Sequence, residues 1–157
     1  MTATAGRYVK AVLWDMDGTL MNSQPIWDES FRRRCQERGG TVTPEQVAGI
    51  AGASIARTRE IIAETGATES PEDPATAEVF ARIAADVGEA VRADPPILPG
   101  ARRITSMLSE IGLAQVIVTQ SPRPIVESVA HALGDVFVEL VTGDDGLPGK
   151  PTPAPYA

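Results

Sequence analysis

Cysteine is nearly absent: Cys35 is the only one in 157 residues. No internal disulfide framework is possible, and a reduced, cytoplasmic setting is expected. Basic residues are scarce, 14 against 21 acids, for a net charge of −7. That balance excludes the basic surface that nucleic acid or an anionic membrane would need, so neither is expected as a partner. An anionic small molecule stays open, because a few local donors or a metal can oppose the global field. Apolar runs long enough to cross a bilayer are missing, and the opening MTATAGRYVK lacks the apolar region of a signal peptide. There is no internal repeat and no low-complexity tract.

What is present suffices for a packed core. Hydrophobic residues make up 43% of the chain, ordinary for a globular protein, and the length fits one domain or a small domain with an insertion. Residues 8–14 form a continuous apolar run too short for a helix and predict a buried strand. From Pro25 to Asp94 only helical patterns follow. IWDESFRRRCQERGG is amphipathic and stops at Gly39, with Arg32, Arg33 and Arg34 expected on its exposed face. Thr43 and Pro44 open the next helix as cap and first residue, and Ser54 opens a third. A fourth runs from EDPATAEV to the Pro95-Pro96 break. After PPILPG, helix 101–112, strand AQVIVT, helix SPRPIVESVAHALG with Ser121 as cap, and strand DVFVELVTG alternate. Such alternation predicts parallel pairing through crossovers. The tail GLPGKPTPAPYA reads as loop.

Ligands of open parallel sheets sit beyond the carboxyl ends of the strands. Three polar features fall there: Asp15 and Asp17 after the first strand, Thr119 after the second, and the loop from Asp144 to Lys150 after the third. They converge if the strands are neighbours. Gly18 allows a tight turn behind Asp17. Two acids spaced this way suit phosphoryl transfer in two steps. One carboxylate, already ionised at neutral pH, attacks phosphorus. The other protonates the leaving oxygen and later takes a proton from water. A hard divalent cation such as Mg²⁺ would offset the repulsion between the acids and a phosphate. Thr119 could give a hydroxyl to a phosphate oxygen, and Lys150 a point charge. Taken singly, each has a plainer role: a solvated turn, a strand end, a loop charge. An EF-hand is excluded, because Leu20 and Ile26 stand where its glycine and its bidentate glutamate belong. His131 lies on an expected helix without a partner motif and reads as surface or packing.

DMDGTL at 15–20, VIVTQS at 116–121 and GKPTP at 149–153, in this order and each at a strand end, resemble the haloacid dehalogenase-like hydrolases. The likeness is to the phosphatase and β-phosphoglucomutase branch, with a helical cap inserted after the first motif, and ILPGA at 97–101 resembles the return from cap to core. The resemblance implies an α/β fold: an incomplete Rossmann-like parallel sheet of three strands with an inserted helical cap. It implies a core of residues 1–24 and 96–157 and a cap of residues 25–95. By the same resemblance Asp15 is the nucleophile and a metal ligand, and Asp17 is the general acid/base with its backbone carbonyl on Mg²⁺. Thr119, with Gln120 beside it, and Lys150 bind phosphate. Arg57, near GASIART, is a candidate substrate contact, with an exposed helix arginine as its alternative.

The family pattern also carries a fourth motif of one or two acids that completes the Mg²⁺ site, well downstream of the lysine. Here seven residues, 151–157, follow Lys150. Asp144 and Asp145 precede it and are not taken as replacements. Asn22, Gln24 and Ala154 stand where relatives often carry acids. The chain therefore reads as stopping before the fourth motif, with weakened metal binding and one unpaired edge on strand 8–14 that invites self-association. Three functions follow: a Mg²⁺-dependent hydrolase of a small phosphorylated metabolite, a phosphosugar mutase, or a non-catalytic remnant that depends on a partner.

Overall fold

The computed structural model describes residues 9–157; Tyr8, at the start of the expected first strand, lies outside them. Strand β1 spans Ala11–Trp14 and is followed by four helices, α1 (Gln24–Gln36), α2 (Pro44–Gly49), α3 (Ile55–Glu64) and α4 (Pro74–Ala93). Helix α5 (Ala101–Glu110), strand β2 (Ala114–Val118), helix α6 (Arg123–Ala132) and strand β3 (Glu139–Val141) complete the α/β part, and a 3₁₀ turn covers Ala154–Tyr156. The strands form one parallel sheet in the order β1-β2-β3. Ala11 pairs with Ala114, Trp14 with Ile117 and Val118 with Val141. Sequential order puts the ends of all three strands side by side, as convergence of the polar features requires.

The helix starts follow their chemistry. Thr43 closes a capping box with Gln46: its hydroxyl accepts from the Gln46 amide at 3.2 Å, and its own amide donates to Gln46 Oε1 at 2.9 Å. Ser54 Oγ accepts from the Arg57 amide, and Asp73 Oδ1 from that of Ala75. Each satisfies a donor that the first helical turn leaves free.

Two apolar cores result. One gathers Met16, Leu20, Met21, Ile117 and the inner face of α6 (Ile125, Val126, Val129). The other, enclosed by α1–α4, gathers Phe31, Cys35, Ile61, Ile62 and Ile83. Val87 and Val91 carry the end of α4 into the first core, and Trp27 packs against both.

Strand β1 is not the buried strand expected from its composition. Leu13 is 47% exposed and Val9 68%. Register explains this. Val12, Trp14, Gln115, Ile117 and Leu140 share one face of the sheet, where α5 and α6 pack. Leu13 and Glu139 turn to the opposite face and are exposed. The third strand is also shorter than DVFVELVTG suggested. Gly134 and Asp135 both adopt positive φ, and the Asp135 amide returns to the Ala130 carbonyl. This turn closes α6 before the chain can extend. Arg33 and Arg34 are not simply a solvated face: both reach Asp86 on α4, at 2.7 and 2.6 Å, and Ser30 Oγ donates to the same carboxylate at 2.6 Å.

Candidate active site

The D-x-D pair is built by alternation. Asp15 follows the last residue of β1, Met16 is fully buried in the first core, and Asp17 turns outward again. The two acids therefore share the outer side of a chain anchored by the methionine between them. Trp14 Nε1 donates to Gln115 Oε1 at 3.0 Å, and Gln115 Nε2 to the Thr105 carbonyl at 2.8 Å. These bonds tie the end of β1 to β2 and α5. Behind Asp17 the chain turns at Gly18, φ +82°, whose amide donates to the Met21 carbonyl; that left-handed conformation favours glycine. The outgoing and returning chains then run together: the Asn22 amide donates to the Pro96 carbonyl, and the Leu98 amide to that of Leu20.

Around these acids the strand ends meet. Lys150 Nζ lies 2.6 Å from Asp15 Oδ1, and Thr19 Oγ1 donates to Asp15 Oδ2 at 3.1 Å. Three hydroxyls hold Asp17. Ser121 Oγ donates to Oδ2 at 2.7 Å, Thr119 Oγ1 to the same oxygen at 3.2 Å, and Ser23 Oγ to Oδ1. Thr119 Oγ1 also accepts from the Ser121 amide. Ser121 is thus not the cap of α6, as the sequence suggested. Pro122 takes the cap position without a capping side chain, and Asp144 Oδ1 accepts from the Arg123 amide at 3.0 Å instead.

The loop after β3 is fastened from two sides. Asp145 bonds Arg123 at 2.6 Å and accepts from the Thr142 amide. Burial pushes the Asp145 carboxyl up, but the Arg123 guanidinium and Thr142 outweigh it and hold it below the usual carboxylate range. Gly143 passes so close that a Cβ would meet the Gln120 carbonyl oxygen at 2.0 Å, and a Cβ at Gly149 would meet Gln120 Oε1 at 2.7 Å. Gln120 thus packs under the segment that presents Lys150.

A cleft opens beside Asp17 between the helices and the strand ends, lined in part by Gln24, Trp27, Ile50, Thr58, Phe80 and Gln120. Arg57 does not line it. Its guanidinium is bound to Glu60 and Glu64, each at 2.8 Å, which matches the exposed-helix alternative. His131 is exposed and lies 3.0 Å from Asp135.

Among the described residues, no three His, Cys, Asp or Glu side chains gather as a metal cluster. Magnesium, however, is commonly held by one or two carboxylates, with water and substrate phosphate completing the shell. The Asp15 carboxylate offers such a ligand. The Asp17 backbone carbonyl accepts no backbone hydrogen bond among the described residues, which leaves it free to serve as a second. The donor set fits the ion, sparsely.

Residues 9–157 match the family model of the haloacid dehalogenase-like hydrolases. The chain belongs to that family. It is 27% identical to hexitol phosphatase B of Escherichia coli over 96% of this chain and 68% of the relative. It is 28% identical to a phosphoglycolate phosphatase of Rhodospirillum rubrum over 93% and 63%. The fold superposes on β-phosphoglucomutase from Clostridium difficile with a TM-score of 0.79 at 16% identity, covering 95% of this chain and 68% of that one. The chain thus spans about two thirds of the length of the relatives it matches. By these resemblances it is a phosphatase-type member of the haloacid dehalogenase-like hydrolases. Ser23 was not singled out in the sequence, and Ser121 was read there only as a helix cap. Ser121 ends the VIVTQS motif and Ser23 opens the segment after DMDGTL, but nothing local marks either as a partner of Asp17.

Proposed function

We propose that this chain is a Mg²⁺-dependent phosphohydrolase acting on a small phosphomonoester through an aspartyl-phosphate. The observation that carries the reading is the convergence of Lys150 on Asp15 and of three hydroxyls on Asp17 at the ends of parallel strands. An Asp15 carboxylate oxygen attacks phosphorus, and the bond from phosphorus to the ester oxygen breaks. Asp17 gives its proton to the departing oxygen, so an alcohol leaves rather than an alkoxide. In the second half, the Asp17 carboxylate takes a proton from a water whose oxygen attacks phosphorus. Inorganic phosphate leaves and Asp15 returns as carboxylate. Lys150, Thr119 and the Gln120 segment serve as phosphate contacts. Bound between the Asp15 carboxylate and the Asp17 carbonyl, Mg²⁺ would supply neutralisation of the phosphate charge.

The test is release of phosphate from p-nitrophenyl phosphate by the full chain, with Mg²⁺ titrated in and then removed with a chelator. Activity that rises with Mg²⁺ only into the millimolar range is expected, because two protein ligands give a weak site; the mutase alternative requires instead that a hexose 1-phosphate be converted to its 6-phosphate without net phosphate release. No phosphate release at any Mg²⁺ concentration would favour the non-catalytic reading.

A further inference from the structure

The cleft beside Asp17 has a chemistry of its own. Its walls are largely apolar, from Trp27, Phe80, Ile50 and Ile55, with neutral polar groups from Gln24, Thr58 and Gln120. Asp17 is the one ionisable side chain that lines it. No Lys, Arg or His side chain lines it: Lys150 is paired with Asp15, Arg57 with Glu60 and Glu64, and Arg123 with Asp145, while Arg59, whose buried Nε has no partner, lies outside the lining. A carboxylate entering this cleft would lose water and face apolar walls with no cationic side chain among them. Burying an unpaired charge is strongly unfavourable.

From this we propose that the group esterified to the phosphate is uncharged and hydroxyl-bearing, with an apolar C–H face: a polyol or sugar phosphate rather than a phosphorylated carboxylic acid. The inference rests on the phosphohydrolase reading and names the substrate class of that site. The rings of Trp27 and Phe80 offer flat apolar surface for the C–H face. Polar capacity is available for the hydroxyls. Gln24 spends one amide N–H on Asp28, at 2.6 Å, and keeps its carbonyl oxygen and second N–H. Thr58 donates to the Ser54 carbonyl at 3.0 Å and keeps acceptor capacity on its oxygen. A cleft that hydrogen-bonds hydroxyls without a cation discriminates by what it leaves unpaired.

The experiment compares kcat/KM of the full chain with Mg²⁺ for glucitol 6-phosphate and for phosphoglycolate. At least a tenfold preference for the polyol ester is expected, and Gln24→Lys should narrow or reverse it by supplying the missing cation. Equal or better use of phosphoglycolate by the unmodified protein overturns the inference. If p-nitrophenyl phosphate and both natural esters are left intact, the hydrolase reading itself fails. The cleft is then read by calorimetry with the same two esters: tighter binding of glucitol 6-phosphate sustains the inference, whereas equal binding, reversed binding or binding of neither overturns it.

Discussion

Lys150 Nζ and Asp15 Oδ1 meet at 2.6 Å although they stand 135 positions apart in the chain. The lysine is brought there by the loop after β3, which Gln120 supports from below through the bare α-carbon of Gly149. The pair is partly open to water, with the lysine side chain 21% exposed and the aspartate 45%. Such a pair contributes little to folding, about 0–1 kcal/mol. Under the proposed mechanism its value is positional, since the lysine charge rests on the attacking carboxylate, beside the position proposed for the phosphate. Lys150→Met is expected to lower kcat/KM by about 10²–10³, as loss of a donor aimed at developing charge does, while the melting temperature stays within a few degrees. Phosphate-release kinetics beside a thermal melt measures both.

Asp15→Asn is expected to reduce turnover to background. An amide is a poor nucleophile, and the change leaves the core untouched because the side chain is nearly half exposed. Retained turnover in this variant, with p-nitrophenyl phosphate as substrate, would end the aspartyl-phosphate mechanism.

Asp15 and Thr119 were legible in the sequence because each directly follows a strand, Asp17 because it stands two residues beyond Asp15, and Lys150, nine residues past β3, only through its GKPTP motif. Parallel strands in sequential order bring the ends of these segments together. The helix caps at Thr43 and Ser54 were legible because capping is local, decided within four residues. What was not legible depends on packing. Ser121 resembled a cap, since Ser followed by Pro opens many helices, but the nearness of Asp17 across 104 positions claims its hydroxyl. Arg34 resembled a solvated charge until α4 placed Asp86 opposite it, 52 positions on. The exposure of Leu13 is a matter of which sheet face α5 and α6 cover, and a continuous apolar run carries no record of that.

The hydroxyl clamp on Asp17 gives a prediction that separates positioning from folding. Ser121→Ala removes one donor and should lower kcat about tenfold for an alkyl phosphate. The loss should be smaller for p-nitrophenyl phosphate, whose phenolate leaves without much help from an acid. A merely structural role for Ser121 would lower both rates in the same proportion. The ratio of the two losses is therefore the quantity to measure.

Among the described residues, β1 pairs with β2 alone, and Leu13 on it is 47% exposed. A free strand edge beside apolar side chains recruits another strand, and the expected partner is a second copy of the chain. Sedimentation velocity over a range of concentrations should show self-association. Leu13→Lys, which places a charge on the exposed face without touching the core, should shift the population toward monomer. A concentration-independent monomer in the unmodified protein would rule out pairing through this edge.

Asp86 is expected to contribute to the acid limb of stability. It accepts from Arg34 through Nε at 2.8 Å and Nη2 at 2.6 Å, from Ser30 at 2.6 Å and from Arg33 at 2.7 Å. The Arg34 hydrogen bonds, against an opposing push from burial and with help from Ser30 and Arg33, hold its carboxyl well below the usual carboxylate range. In the unfolded chain an aspartate titrates near about 3.9. Below that pH the unfolded chain takes up a proton that the folded chain refuses, so the unfolded state binds more protons and stability rises with pH through this window. The contribution is fully present above about pH 5 and is lost progressively as the pH falls from there through the unfolded value toward the folded one. Asp86→Asn should remove that acid-limb slope, and at neutral pH it should lower stability by about 2 kcal/mol, the scale of a hydrogen bond to a charged group. Urea melts between pH 3 and pH 7 on both proteins test this directly: the two curves should draw together as the pH falls, and a constant gap across the range would show that Asp86 is not the titrating group.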